Sequence, residues 1–242
     1  MNNAGHSPPA APATQSTPPP AWLESFRQRL GDDTGEPVEL IETHISWLLL
    51  VNGFAYKLKK PIRLPFLDYG SAARRHFFCD EELRLNRRFA PDLYLDVVPA
   101  NAASDECAVR MRRFEEAGRL DHVCERGELK PAQLSELARV IVTFHQNAAV
   151  AAADSRFGTP EQVLAPTLEN FDELRSLLPD KQPRLDKLRA WTNDEFARRR
   201  ERILARKLAW RVRECHGDLH LGNLVLIDDR VTPFDCIEFN ED

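Results

Sequence analysis

The chain has 242 residues, which suits one large domain or two lobes, and 43% of them are hydrophobic, which is enough to form a core. Its net charge of −5 argues against a dedicated nucleic-acid-binding protein, and no apolar run approaches the roughly 18 residues that a membrane span requires. We therefore expect neither nucleic acid nor a membrane among its partners. The cysteines are odd in number and scattered, which indicates reduced thiols in a cytoplasmic protein rather than a disulfide framework. They are Cys79, Cys107, Cys124, Cys215 and Cys236.

The N-terminal region combines a low-complexity tail with one short helix. Residues 1–20 are rich in Pro, Ala, Ser and Thr and have almost no large apolar side chain, so they cannot bury enough surface to offset their ordering entropy. We predict a disordered tail there, and no secretory signal, because a basic start followed by an apolar stretch is missing. Apolar residues recur at helical spacing from Trp22 to Leu30 and predict an amphipathic helix that stops at Gly31, before a polar linker at residues 32–37.

Two apolar runs around an Asn-Gly pair predict the first hairpin. The runs cover residues 44–51 and 54–59, and Asn52-Gly53 between them is a strong turn signal. Lys57 lies among the apolar residues of the second run and needs a partner there. The other interpretation is a strand at the edge of the sheet, where lysines protect it from pairing with another chain. The residues alone leave both interpretations open.

A helix and two further strands follow in the sequence. A serine cap and apolar positions among charges predict a helix over residues 71–90. Glu81 and Glu82 fall in its middle, and most helix glutamates face water. Apolar residues at 93–99 and 107–114 predict the remaining strands of a small sheet.

From Pro131 to about residue 214 the chain is predicted to be helical. Prolines bound the second of three helices, at about residues 160–178, and the third covers about residues 184–211. On the first of these helices, His145 is predicted to pack in the core. The basic residues from Arg198 to Arg213 are interpreted as a solvated helix face rather than as a contact for phosphate or nucleic acid.

The C-terminal segment HGDLHLGNLVLIDDRVTPFDCIEF, residues 216–239, holds the side chains best suited to catalysis. Asn223 opens an apolar run, a polar turn follows at residues 228–230, and a second apolar run leads to Asp235. Two strands joined by a tight turn form a hairpin, so Asn223 and Asp235 would lie side by side, with Asp218 within reach of the same cavity. Carboxylate and amide oxygens suit Mg²⁺, a hard cation that keeps substrate phosphates in its shell.

Two other interpretations of this segment are open. Asp218 and Asn223 could serve only to cap and close turns. Alternatively, His216, Asp218 and His220 alternate along the chain and would share one face of a strand, as the zinc ligands of a hydrolase would. The zinc interpretation gives Asn223 and Asp235 no role.

The same segment resembles the catalytic loop of the aminoglycoside phosphotransferase-like family, a group of protein-kinase-like enzymes whose loop also has Gly after the His. It looks like the bacterial branch that is often fused to a P-loop kinase domain. The resemblance implies a two-lobed α+β protein-kinase-like fold. The small antiparallel sheet lobe would cover about residues 21–115 and the mostly helical lobe residues 116–242. Family members continue with further helices, so we expect the second lobe to be C-terminally truncated.

The resemblance assigns a role to each polar residue of the segment. Asp218 is the catalytic base, and Asn223 and Asp235 are the Mg²⁺ ligands. His216 is structural and packs the loop.

The resemblance also assigns residues that bind the nucleotide. Lys57 matches the strand lysine that holds the α- and β-phosphates, and Glu82 matches the helix glutamate that pairs with it. Met111 lies where the lobes join and would pack near the base. The glycine-rich phosphate cover of kinases is reduced here to Gly53.

The implied function is the Mg²⁺-dependent transfer of the γ-phosphate of ATP or GTP to a hydroxyl of a small molecule. The alternative is a truncated, non-catalytic nucleotide-binding or interaction module, with zinc hydrolysis as a more distant one. Fold and site analogy set the class of reaction and leave the acceptor open.

Overall fold

The structure, a computed structural model, describes residues 19–64 and 66–239, so residues 1–18 of the predicted tail lie outside the described residues. The described chain is α+β, as predicted. In chain order its helices and strands are α1 (Ala21–Thr34), β1 (Glu39–Glu42), β2 (Ser46–Val51), β3 (Phe54–Lys59), β4 (Arg63–Leu64), β5 (Leu67–Asp68), α2 (Ala72–Asn86), β6 (Tyr94–Pro99), β7 (Cys107–Arg112), α3 (Leu120–Glu125), α4 (Pro131–Asn147), α5 (Pro160–Leu177), α6 (Gln182–Leu208), β8 (Leu224–Ile227) and β9 (Arg230–Pro233).

Five strands form one antiparallel sheet in the order β1-β2-β3-β7-β6. The predicted hairpin joins β2 to β3 through Asn52 and Gly53, and Asn52 has a φ of 51°, a left-handed conformation that asparagine tolerates. β3 is a central strand, because Lys57 lies opposite Leu48 of β2 on one side and opposite Val109 of β7 on the other. The interpretation of its lysines as protection of a sheet edge is therefore wrong.

Helix α1 covers one face of the sheet. Its Leu23 and Phe26 are buried in a cluster that includes Leu49 and Leu58 from the central strands. Phe26 also meets the ring of Tyr56 edge to face, at 5.7 Å between centroids, which adds to the energy of burial alone. The helix is thus fixed to the sheet by the apolar stripe that the sequence pattern predicts.

Helix α1 runs through Gly31, where it was predicted to stop, and ends at Thr34. Gly35 has a φ of 70°, and its N–H donates to the carbonyl of Gly31 at 2.8 Å. A glycine inside a helix costs only about 1 kcal/mol relative to alanine. The left-handed residue after a helix strongly favours glycine, so the second of the two glycines ends this one.

Helix α2 lies against the opposite face of the sheet. Its Cys79 packs in a second buried cluster with Ala55 of β3 and Val109 of β7. The predicted cap is present, since the hydroxyl of Ser71 accepts a hydrogen bond from the N–H of Arg74. The helix ends at Asn86 rather than at residue 90, and the chain turns there before a proline that disfavours helical backbone in the residue preceding it.

The region predicted as helical from residue 131 to about 214 divides into α4, α5 and α6 and leaves the helical conformation after Leu208. His145 of α4 is exposed, so the prediction that it packs in the core is wrong. Neighbouring positions on a helix point about 100° apart. Phe144 is the one that faces inward, and its ring stacks on that of Phe89.

The basic residues at 198–206 of α6 are exposed, as interpreted from the sequence, whereas Lys207 and Arg213 are half-buried and donate to backbone carbonyls. Arg198 and Arg199 pair with Glu195 on the same helix, and Arg200 pairs with Glu161 of α5.

None of the described helices is both long enough and apolar enough to cross a membrane.

The packing of α1 can be tested with one leucine. We expect Leu23→Ala to lower the free energy of unfolding by about 2–5 kcal/mol, because Leu23 is fully buried and the truncation leaves a cavity. The matched control is Leu177→Ala at the exposed end of α5, which should change stability by about 0.5 kcal/mol or less. Urea unfolding of the full chain measures both. Equal losses would show that α1 does not depend on this contact.

Candidate active site

The C-terminal hairpin brings the ends of β8 and β9 together, as predicted. Its turn consists of Asp228 and Asp229, with φ values of 50° and 64°, which is the backbone that a two-residue hairpin turn requires. At the open end the N–H of Phe234 donates to the carbonyl of Asn223 at 3.0 Å. Asp235 is therefore one residue beyond the backbone partner of Asn223.

Asp218 and Asn223 are joined directly. The Nδ2 of Asn223 donates to the carbonyl of Asp218 at 2.9 Å and to its carboxylate Oδ2 at 3.1 Å. Both Asp218 atoms can only accept, so the amide nitrogen faces Asp218 and the amide oxygen points away from it. The side chain of Asp218 is 53% exposed, whereas Asn223 is buried. The loop thus holds the Asp218 carboxylate in a fixed position that is open to solvent. The same contacts from Asn223 also close the loop, as the interpretation of these residues as turn-closing residues expected.

Asp235 has a strained backbone that its neighbours hold in place. Its φ is 60°, a left-handed conformation that costs a non-glycine residue on the order of 1 kcal/mol or more. Its N–H donates to the hydroxyl of Tyr94 at 3.0 Å. The next two N–H groups donate to the side-chain oxygen of Asn86 and to the carbonyl of His216. Such strain persists only where the surroundings impose it, and here three different elements do so.

Lys57 connects Asp235 to helix α2. Its Nζ lies 2.8 Å from Oε1 of Glu82 and 2.5 Å from Oδ1 of Asp235. The ion pair predicted between Lys57 and Glu82 is therefore present. Glu81 faces the other way and pairs with Arg84 on the surface. Of the two glutamates in the middle of α2, Glu82 is therefore the one that forms the ion pair with Lys57.

A second lysine shares Glu82, and the sequence-based prediction missed its role. Lys59 Nζ lies 2.7 Å from Oε2 of Glu82 and also contacts the carboxylate of Glu238. Lys59 is two residues after Lys57 on the same face of a strand, which is the signal that could have revealed it. Lys59 and Glu238 are 179 positions apart in the sequence, so no local sequence pattern predicts their contact.

The charges of this network sustain one another. Burial alone would raise the pKa of Glu82, but the charges of Lys57 and Lys59 outweigh it and lower that pKa to about 2. Burial likewise opposes the charge of both lysines, and the neighbouring carboxylates raise the pKa of each well above its ordinary value. Glu82 and the two lysines are therefore all charged at neutral pH.

His216 has the structural role that the resemblance implied. Its ring is buried, its Nε2 donates to the carbonyl of Phe234 at 2.9 Å, and its Nδ1 accepts from the N–H of Asp218. Burial lowers its pKa, so the neutral ring is favoured. Both ring nitrogens are used, which leaves none for zinc. Among the described residues, no group of three or more His, Cys, Asp or Glu side chains is placed to hold a metal ion.

Met111 lies in β7, where it pairs with Ala55 on one side and Tyr94 on the other. It is buried in the same cluster as those two residues, and side chains from the C-terminal hairpin, Ile227 and Phe234, pack against that cluster. Met111 is thus a core residue beneath the hairpin, and its role near the nucleotide base stays a prediction. Gly53 lies in the hairpin turn between β2 and β3.

Comparison with known proteins gives relatives without an assigned function. No family model matches the chain. Uncharacterized proteins of Mycobacterium tuberculosis, from strains H37Rv and CDC 1551, and of Mycobacterium bovis are each 31% identical to it over 216 residues. The match covers 86% of this chain but 43% of each relative, so the chain spans less than half the length of these proteins. These relatives therefore assign no function to the chain.

The buried carboxylate of Glu82 predicts a specific loss of stability. We expect Glu82→Gln to lower the free energy of unfolding by about 3–5 kcal/mol at pH 7, because two lysines lose a buried partner. Glu81→Gln, which loses an exposed pair with Arg84, should cost about 1 kcal/mol or less. Urea unfolding at pH 7 measures the free energy of unfolding of both variants. Equal losses would show that Glu82 is not the main partner of the two lysines.

The same variant has an expected pH dependence. The pKa of Glu82 is lower in the folded chain than its ordinary 4.5, so its stabilising effect is fully present above that pH and is lost as the pH falls toward 2. The difference between wild type and Glu82→Gln should therefore shrink over this acidic window. A difference that stayed constant there would contradict the assigned ionisation.

Proposed function

We propose that this chain is a Mg²⁺-dependent phosphotransferase of protein-kinase-like, two-lobed architecture, in the aminoglycoside phosphotransferase-like group. It moves the γ-phosphate of ATP or GTP to a hydroxyl of a small molecule. The observation that carries the proposal is the chain of contacts from Glu82 through Lys57 to Asp235, beside the Asp218–Asn223 pair. These five side chains come from a strand, a helix, a loop and a hairpin, and they match the parts of a phosphoryl-transfer site one by one.

Lys57 supplies the cation for the nucleotide phosphates. An ammonium group has three donors, and Glu82 and Asp235 take two of them. The third is left for a phosphate oxygen. Glu82 fixes the direction of the lysine from the protein side, so the charge is already in place before the substrate binds.

Asn223 and Asp235 fit Mg²⁺ by the chemistry of their oxygens. The carboxylate of Asp235 is 44% exposed, and the amide oxygen of Asn223 is turned away from Asp218. Both are hard oxygen donors, and Mg²⁺ commonly takes one or two from the protein and the rest from water and phosphates. When bound, Mg²⁺ neutralises charge on the phosphates.

Asp218 is the base in this proposal. The acceptor hydroxyl gives its proton to the Asp218 carboxylate as its oxygen forms a bond to the γ-phosphorus. The bond from that phosphorus to the β–γ bridging oxygen breaks, and ADP or GDP leaves with the electron pair. Asn223 holds the carboxylate in position, and the exposure of Asp218 allows an acceptor to reach it.

The role of Lys57 predicts a loss of nucleotide binding. Lys57→Ala should weaken the binding of a non-hydrolysable ATP or GTP analogue by about tenfold or more, equal to about 1.4 kcal/mol, because a phosphate contact is lost. Lys60→Ala is the matched control, since Lys60 pairs with Glu42 near the surface. Calorimetric titration in Mg²⁺ measures both. Equal losses would show that the lysines act only as a charged patch.

The two aspartates predict different kinetic effects. Asp218→Asn should lower turnover by about 100-fold with little change in nucleotide affinity, because the base acts only in the transition state. Asp235→Asn should also weaken Mg²⁺-dependent nucleotide binding by about tenfold, because a negative charge beside the divalent ion is lost. The measurement is an analogue titration with and without Mg²⁺, together with turnover assays on a panel of small-molecule alcohols.

The outcomes of that experiment separate the candidate functions. Loss of Mg²⁺-dependent binding in Asp218→Asn but not in Asp235→Asn would reverse the assigned roles. A wild-type chain that binds Mg²⁺ and nucleotide without transferring phosphate would be the non-catalytic module. Stoichiometric zinc in the purified protein would overturn both.

A further inference from the structure

A second layer of buried charge lies behind the candidate active site. Lys59 Nζ contacts Glu82, Glu238 and, at 3.3 Å, the hydroxyl of Tyr69. The Tyr69 hydroxyl also donates to Glu238. Lys59 is 2% exposed and Tyr69 is fully buried, so neither can reach a ligand in the open site. A role for these residues has to be exerted through the groups that they hold.

The geometry of this layer links the sheet to the segment that carries Asp235. Glu238 is three residues after Asp235, and its carboxylate is drawn into the protein between Lys59 and Tyr69. Lys59 in turn is fixed through Glu82, which also holds Lys57. Two connections therefore run from β3 to this segment. Lys57 holds the side chain of Asp235, and Lys59 holds the chain beyond it.

The backbone of the segment is strained at Asp235 and depends on the contacts around it. The left-handed conformation of Asp235 costs free energy and persists only while surrounding contacts impose it. The N–H groups of Asp235, Cys236 and Ile237 are bonded to Tyr94, Asn86 and His216, which fixes the segment up to residue 237. The carboxylate of Glu238 fixes the next residue as well, through its contacts with Lys59 and Tyr69.

The energetic cost of the arrangement also points to a specific role. Removing an ion from water into a protein interior costs several kcal/mol, and apolar side chains of similar volume are often at least as stabilising. Burying Lys59 and Glu238 is therefore a poor way to gain stability alone. What the pair provides that apolar residues would not is a directed contact that fixes the position of one chain segment relative to another.

We propose that Lys59 and Glu238 are positioning residues for Asp235. They form a latch that holds the segment 235–238 against β3 and α2 and so keeps the Asp235 carboxylate beside Lys57. The function of the latch in Mg²⁺ binding rests on the proposed phosphotransferase activity. The restraint of residues 235–238 by the latch does not depend on that activity.

The test uses the double variant Lys59→Met/Glu238→Gln of the full chain. It leaves the formal charge unchanged, and the glutamine still offers an acceptor to the Tyr69 hydroxyl. The control is Lys60→Met/Glu42→Gln, which removes a neighbouring Lys–Glu pair that lies nearer the surface. If urea unfolding shows that the double variant does not fold, Glu238→Gln alone replaces it, since it leaves the Lys59–Glu82 pair intact.

Two readouts are taken on each folded variant. In hydrogen exchange, the hydrogen-bonded amides of residues 234–237 should exchange about tenfold faster than in wild type, while those of β2 stay unchanged. In an analogue titration, the Mg²⁺ concentration for half-maximal nucleotide binding should rise by about tenfold, with binding at saturating Mg²⁺ largely retained. The control should leave both at their wild-type values.

The outcomes separate this proposal from the proposed function. Unchanged exchange of residues 234–237 in a folded variant overturns the latch, whatever the activity of the protein. Faster exchange with an unchanged Mg²⁺ requirement also overturns the positioning role, because Asp235 would then not need the restraint. A wild-type chain without Mg²⁺-dependent nucleotide binding overturns the phosphotransferase function, and hydrogen exchange still decides whether the restraint exists.

Discussion

The fully buried carboxylate of Glu82 constrains most of this structure. It stays charged only because two cations approach it, one on each oxygen. Lys57 and Lys59 can do so together because they are two residues apart on one strand and point to the same face. The carboxylate therefore requires helix α2 to lie against that face, with β3 held between β2 and β7 as a central strand. The charged contacts of Asp235 with the sheet pass through this arrangement, and its N–H adds a separate hydrogen bond to Tyr94 of β6.

Features set by neighbouring residues could be predicted from the sequence. The Asn52-Gly53 pair and the polar turn predicted at residues 228–230 are local signals, and both hairpins form there. The second turn is one residue shorter than predicted, because Arg230 already pairs with Ile227. The Ser71 cap is equally local. The predicted end of α1 is wrong by three residues, because a helix tolerates one interior glycine and ends at the next.

Features set by distant residues could not be predicted in the same way. The place of β3 in the sheet depends on β7, which follows about fifty residues later, so the lysines of β3 also fitted an edge strand. Lys59 looked peripheral because its partner Glu238 comes from the other end of the chain. Lys57 and Glu82 were paired through resemblance to a family, whereas their burial and their shared partner emerged only in three dimensions.

The balance of charge in the network supports the proposed cation site at its open end. Two lysines face three carboxylates, so at formal charges one negative charge is left over. Glu82 and Glu238 are enclosed on all sides by the lysines and the core, whereas the carboxylate of Asp235 is 44% exposed. The excess charge therefore lies at the solvent-facing end, next to Asn223 and Asp218. In the proposed function, a divalent cation would bind at this end, and Lys57 would keep both carboxylate partners while its third donor meets a phosphate oxygen.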